Sequence, residues 1–266
     1  MKLHYLVMCW VALVISSCQL GETRGGDKPV FTDTINYTYK TVKQKAADCN
    51  SKTDNGCNIV KFTYPVFNAQ PALNDSVFAR LASMFSLMGK NDTSFTNAAT
   101  LFFAGYRGQS SNDPQQPAFC PLNEYAKVVR QDSALTSIET GGYLIRSNMQ
   151  LSSISFINWN PRTHQKQTLD EIFKPGYQDS LKIIAERIFR SDEKLSDSTS
   201  FAKGYLFKDG KFALNNNYLI APMGLRFLYN EGEIKPRNKG FTILFIPYAK
   251  IKPLLKPHTV VTQYMK

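Results

Sequence analysis

The chain has 266 residues, 43% of them hydrophobic, and a formal net charge of +11. That length and apolar content can build a core, which excludes disorder for most of the chain and suits one domain of two lobes or two small domains sharing an interface. Of its three histidines none forms a His-x-x-x-His pair, so no histidine-rich metal centre is expected.

The N-terminus opens with Met1-Lys2 and an apolar run from Leu6 to Ile15, followed by Ser16-Ser17-Cys18. A membrane-spanning helix needs about 20 apolar residues, so this run reads as a signal-peptide core. Small residues directly before a cysteine read as a lipobox, with residues 1–17 removed and Cys18 carrying lipid. An ordinary secretory signal with an incidental cysteine is the alternative. Gln19 leaves no aspartate signal for inner-membrane retention, so the expected location is the outer membrane, facing the periplasm. Residues 18–30 form a polar, glycine-rich tether. An exported chain of this charge favours anionic envelope partners and makes nucleic acid an improbable one. The basic residues are scattered, with Lys40, Lys43 and Lys45 in one group and Lys235, Arg237 and Lys239 in another, so a solvated surface accounts for them equally well.

With Cys9 lost and Cys18 lipidated, Cys49, Cys57 and Cys120 remain for an oxidising compartment. Cys49 and Cys57 flank the turn-rich NSKTDNG between strand-like Ile35–Lys45 and Ile59–Phe67. Pairing them clamps a hairpin mouth, worth roughly 2–3 kcal/mol in loop-closure entropy. Cys120 is then the odd thiol; a bridge from Cys120 to one of the pair is the alternative. Asp48, Asn50, Asp54 and Gly56 resemble a calcium loop only faintly, since Lys52 sits at a ligand position and Ile59 where Glu belongs.

Next comes a helix capped by Asn74 and ended by Gly89, with Val77, Phe78, Leu81, Met84, Phe85 and Met88 on one apolar face. A second helix spans Ser94 to Tyr106 with Phe95, Ala98 and Phe102, and a polar loop runs from Gly108 to Pro121. Glu124 to Ile138 reads as one long extended segment broken by Gly141-Gly142, and Met149 to Trp159 as the next strand of an antiparallel meander. A turn at Asn158–Thr163 leads to Thr168–Phe173. A helix then carries Leu181, Ile184, Ala185 and Ile188, and Ser191–Ser200 reads as a mobile loop.

The stretch from Lys211 to Pro257 holds two strand-like runs, Gly224–Tyr229 and Phe241–Ile246, around the turn-rich GEIKPRNKG. Phe212, Leu214, Gly224, Leu225, Phe227, Tyr229 and Asn230 continue into Glu233, Ile234, Pro236, Gly240, Ile246, Pro247, Tyr248, Ile251, Leu254 and Leu255. In this spacing the chain resembles the domain shared by the extracytoplasmic part of RsiV anti-sigma factors and the non-catalytic N-terminal region of PdaC peptidoglycan deacetylases. Ile59–Phe67, with its Tyr64-Pro65 step ahead of a helix, resembles that family's first domain. So does the turn before Leu169-x-x-Ile172-Phe173. Where relatives carry Gly-Gly-x-His, this chain has Gly141-Gly142-Tyr143-Leu144, so no role for that histidine carries over. The resemblance implies an α+β fold of antiparallel sheets with packed helices, in two lobes that form one compact unit. The lobes are drawn at 31–175, similar to the PdaC N-terminal region, and 176–257, similar to RsiV. It also implies lysozyme-type proteins as one ligand class. The deacetylase catalytic domain is not expected, because the matching stretch runs up to the end of the sequence.

Chemistry is sparse. Ser191–Lys194 and Ser200–Lys203 are Ser-x-x-Lys matches without the companion Lys-Thr-Gly. Asp170/Glu171 and Glu231/Glu233 are the carboxylate pairs a glycan hydrolase would need within about 5–10 Å. Tyr143, Trp159, Tyr229 and Tyr248, with Glu233, are the candidate ligand-binding residues, the rings offering stacking faces. No catalytic residue, metal ligand or cofactor is assigned, and oligomeric state is left open. The expectation is a non-enzymatic envelope lipoprotein that binds a protein or a peptidoglycan glycan; the alternative is a peptidoglycan hydrolase or deacetylase-accessory enzyme using a carboxylate pair.

Overall fold

A computed structural model of the chain describes residues 35–49, 57–85, 94–110, 120–146 and 149–265. The leader, Cys18, the tether, the turn 50–56, Gly89 and the loop 111–119 lie outside the described residues. The fold is α+β, with a six-stranded mixed sheet, a three-stranded antiparallel sheet and packed helices.

The first hairpin follows the sequence closely. Strand β1 (Tyr37–Lys45) pairs antiparallel with β2 (Ile59–Phe67), and the Cys49–Cys57 disulfide closes the mouth with Cα atoms 5.4 Å apart. Cys120 is buried outside that bridge. Strand β2 then runs parallel to β3 (Leu122–Gln131), where a wholly antiparallel sheet was expected. Helices α1 (Pro71–Met84) and α2 (Phe95–Ser110) supply the long crossover that a parallel pair requires. The parallel register is short, Val60–Thr63 against Leu122–Tyr125, and Pro65 lies beyond it, where its missing N–H leaves no gap in that ladder. Past that point the Val128 N–H donates to the Tyr39 hydroxyl at 3.2 Å.

Helix α1 starts three residues before Asn74, at Pro71, a residue whose fixed φ suits a first helical position. Asn74 instead clips the helix to the preceding strand: its Oδ1 accepts the Phe67 N–H at 2.8 Å and its Nδ2 donates to the Phe67 carbonyl at 3.0 Å. Leu73, Val77 and Leu81 form the buried face, with Phe78, Met84 and Phe85 packed beside it. Ser94 caps α2 by accepting the N–H groups of Thr96 and Asn97, and the helix continues past Tyr106 to Ser110.

The long extended segment is in fact two strands, β3 and β4 (Thr136–Arg146). Asp132 makes the turn between them: its Oδ1 accepts the N–H groups of Ala134 and Leu135, both at 2.9 Å. Gly141 and Gly142 do not break β4; they sit at its centre. A Cβ at Gly141 would lie 2.6 Å from the Tyr125 ring, and one at Gly142 would lie 2.9 Å from Glu124 Cγ. The two glycines make room for the neighbouring strand, Gly142 most closely for the Asn123 carbonyl oxygen, which a Cβ would meet at 2.7 Å. Strands β5 (Met149–Asn160) and β6 (Gln165–Lys166) complete the sheet.

The second sheet is an antiparallel meander of β7 (Tyr218–Ala221), β8 (Gly224–Tyr229) and β9 (Thr242–Pro247). Gly224 is needed because β9 passes close: a Cβ there would meet the Ile246 carbonyl oxygen at 2.2 Å. Around this sheet lie α3 (Leu169–Ile172), α4 (Gln178–Asp192) and α5 (Tyr248–Ile251). Helix α4 buries Leu181, Ala185 and Phe189, four residues apart, and Phe189 joins the rings of Phe201, Phe207 and Phe212. The segment after α4, expected to be mobile, is held by Arg190. Its guanidinium donates to the carbonyls of Ser196 and Thr199, pairs with Glu186 and lies 4.1 Å above the Phe201 ring.

The two sheets meet through asparagines. Among the described residues, most of the outer edge of β5 has no neighbouring strand, since β6 pairs with Trp159 and Asn160 alone. The Asn217 side chain accepts the Phe156 N–H at 3.1 Å and donates to the Ile154 carbonyl at 2.8 Å. Asn230 accepts the Ile154 N–H at 2.8 Å. In the other direction, Asn158 donates to the Tyr218 carbonyl at 2.8 Å and accepts the Ile220 N–H at 3.0 Å. These primary amides carry the same donor and acceptor as a peptide group, so they stand in for a strand and satisfy both edges.

Candidate functional site

A groove of about 590 Å³ opens where the helices leave β1 and β2 uncovered. Val42, Tyr64, Pro65 and Val66 form its sheet side, Phe78 and Ala79 of α1 one wall, and Phe95 the start of α2. Tyr64 packs tilted and Phe78 edge-on against Phe95, with ring centroids 4.4 and 4.7 Å from it, and Phe62 backs Phe95 at 4.7 Å. The alternation of β2 puts Phe62 and Tyr64 on the same side; Phe62 is sealed under the helices and Tyr64 reaches the groove. Burial pushes the Tyr64 hydroxyl's pKa up, so it stays a neutral donor and acceptor across the physiological range. Asn74, Asp75, Ser94 and Thr96 form a polar rim. Gln44 donates to the Thr96 carbonyl at 3.4 Å and ties the rim to β1. An aromatic floor with few polar groups binds and orients ligands; the rim brings one carboxylate, that of Asp75.

A second cleft, of about 320 Å³, lies between the turn after β5, the start of α3 and the C-terminal segment. Arg162, Thr163, Gln165, Gln167, Glu171 and His258 are among its lining residues. Its carboxylate is committed to the fold. Glu171 Oε2 accepts the Thr168 N–H at 2.6 Å and Gln167 Nε2 at 2.9 Å, completing the capping box of α3.

The five candidate ligand-binding residues from the sequence line neither cavity. Trp159, Tyr229 and Tyr248 are at most 4% exposed and belong to the core, so they are not surface stacking faces. Trp159 Nε1 reaches Gln70 Oε1 at 3.4 Å, and the Tyr229 hydroxyl donates to the Ala213 carbonyl at 2.9 Å. Tyr143 is half-buried on the sheet face opposite the helices. Glu233 is exposed and serves the turn after β8: its carboxylate accepts the Asn230 N–H and the Asn215 amide, both at 2.7 Å. Of the carboxylate pairs, Asp170 accepts the Tyr177 hydroxyl at 3.0 Å while Glu171 caps α3, so that pair is divided between two structural tasks. His164 holds Gln70 at 2.9 Å through Nδ1, tying the turn after β5 to the start of α1.

From sequence, Phe78 reads as part of an apolar core face, while Tyr64 and Phe95 carry no site role. Helical spacing is the core signal for Phe78, and only the burial of its neighbours distinguishes it. Glu124 carries no site role from sequence either. This carboxyl is fully buried on β3, neither oxygen has a hydrogen-bond partner, and desolvation raises its pKa to about 9. It is therefore a neutral acid at physiological pH.

Residues 170–249 match the model of a family described as protein of unknown function, DUF3298. That stretch runs from α3 to the first residues of α5 and contains the whole second sheet. Two solved structures extend the likeness to nearly the whole chain. A DUF3298-family member from Bacteroides fragilis superposes with a TM-score of 0.65 at 17% identity, covering 87% of this chain and 97% of its own. A DUF3298-family protein from Pseudomonas aeruginosa superposes at 0.63 with 20% identity, covering 85% and 96%. At these identities the likeness establishes the shared fold. No curated protein matches the chain.

Proposed function

We propose that this chain is a lipid-anchored envelope protein and acts as a non-enzymatic binding module for a protein or a peptidoglycan glycan. In this reading Cys18 carries the lipid, the protein faces the periplasm from the outer membrane, and lysozyme-type proteins are one ligand class, as the resemblance to RsiV and PdaC domains implies. The observation that carries the reading is the aromatic groove. Tyr64, Phe78 and Phe95 give it a platform, and Asn74, Asp75, Ser94 and Thr96 give it a polar rim. Aromatic surface beside directional hydrogen-bonding groups is what sugars and protein side chains both use. The Asp170/Glu171 pair, engaged with Tyr177 and Thr168, supports a binder over a carboxylate-pair hydrolase.

The test is retention of purified peptidoglycan and of lysozyme by the full chain purified in detergent. The reading expects saturable retention that survives moderate salt and is lost in Ala79→Trp, which fills the groove from an exposed position. Retention that moderate salt abolishes, or that Ala79→Trp leaves intact, would reduce the binding to net charge or move it to another surface.

A further inference from the structure

Among the described residues, strand β1 is the terminal strand of the six-stranded sheet, with β2 as its neighbour. Thr38, Tyr39, Lys40 and Thr41 are all exposed, and Tyr39 keeps half its surface. Val42, two residues beyond Lys40 on the same side of the strand, lines the groove. The groove therefore does not stop at the sheet margin; it opens alongside the strand edge itself. A further strand laid against β1 would sit about 4.8 Å away and project alternate side chains to the helix side. One of those side chains would fall beside Val42, within reach of the platform of Tyr64, Phe78 and Phe95. The one two residues away would fall beside Lys40.

We infer that the edge Thr38–Val42 takes an added strand from a protein partner, with an acidic residue beside Lys40 and an apolar residue two positions away seated in the groove. This rests on the reading of the groove as a binding site and narrows its ligand to an extended acidic–apolar segment. Charge selects the occupant. Lys40 and Lys61 are exposed cations of this hairpin within a chain of net charge +11, so a second copy of β1 would meet like charge. An acidic strand meets opposite charge at the same positions. Main-chain hydrogen bonds supply affinity in this mode, and the alternate side chains supply selectivity.

The test uses the full chain in detergent and fluorescein-labelled ten-residue peptides that alternate Asp or Glu with Val or Ile. The control peptides carry Lys in place of the acids. Anisotropy measures affinity, and amide hydrogen exchange locates the contact. The acidic peptide is expected to bind at least tenfold more tightly than the lysine version and to slow exchange within Thr38–Val42. Lys40→Glu, an exposed change that leaves the core intact, should reverse the preference between the two peptides. Ala79→Trp should weaken the acidic peptide by about tenfold. Binding that protects residues of α1 while leaving Thr38–Val42 unchanged would overturn strand addition and leave the groove as the site. Peptidoglycan retention sensitive to Ala79→Trp, with no peptide binding, would make a glycan the occupant and overturn this inference alone. Neither ligand binding would overturn both readings.

Discussion

The two margins of the six-stranded sheet present the same physical problem and are treated in opposite ways. Along β5 the backbone groups of Ile154 and Phe156 are met by the amides of Asn217 and Asn230, and Asn158 returns the favour to β7. Along β1 the residues Thr38–Thr41 lie exposed beside an apolar groove and a lysine. Unpaired strand edges invite pairing with other chains, so a protein covers or charges them. Here one margin is covered by its own second sheet. The other is charged, and its charge permits an acidic neighbour while discouraging a copy of itself.

Breaking the covered margin should have the largest effect. Asn158 is 6% exposed, and Asn158→Leu leaves the Tyr218 carbonyl and the Ile220 N–H without their partner. The expected loss is about 3 kcal/mol, read as a lower midpoint in chemical denaturation. Reducing or deleting the Cys49–Cys57 bridge acts at the other margin, by loosening the hairpin that presents β1. It should cost about 2–3 kcal/mol and raise exchange in β1 well before β5. A pH-dependent effect belongs to Glu124, between the margins. Its pKa is raised from 4.5 to about 9 on folding, so the folded state keeps a proton the unfolded chain loses. Its contribution is fully present below pH 4.5 and declines as pH rises toward 9. Glu124→Gln should therefore gain on the parent by on the order of 1 kcal/mol per pH unit across that window, as seen in thermal melts at stepped pH. A parallel pair of pH profiles would show that Glu124 is ionised or solvated in the folded protein. Lys40→Glu should move stability least, by under about 0.5 kcal/mol, because the side chain is exposed.

What the sequence discloses depends on whether the signal lies along one segment or across several. The disulfide, the β2 and β8 strands and the α4 helix were legible because spacing and turn residues along the chain announce them. Gly141-Gly142 was misread as a break, since the reason for those glycines stands on the adjacent strand, in Tyr125, Asn123 and Glu124. The asparagines were opaque for a similar cause. Asn158 looks like part of a turn, and its partners lie some 60 residues away in β7. The groove is drawn from β1, β2, α1 and α2, so no local pattern marks it. Trp159, Tyr229 and Tyr248 show the converse error: aromatic rings with polar tips look like surface binders until the core that surrounds them is seen.

Native-state amide exchange on the unliganded chain tests the contrast of margins most directly. The account predicts that the Ile154 and Phe156 amides, held by asparagine side chains, are protected to nearly the level of global unfolding. Within Thr38–Val42, the amides that do not pair with β2 should exchange through local fluctuations alone. Ile154 and Phe156 exchanging as fast as those β1 amides would contradict it, because the asparagine join would then not seal the β5 edge.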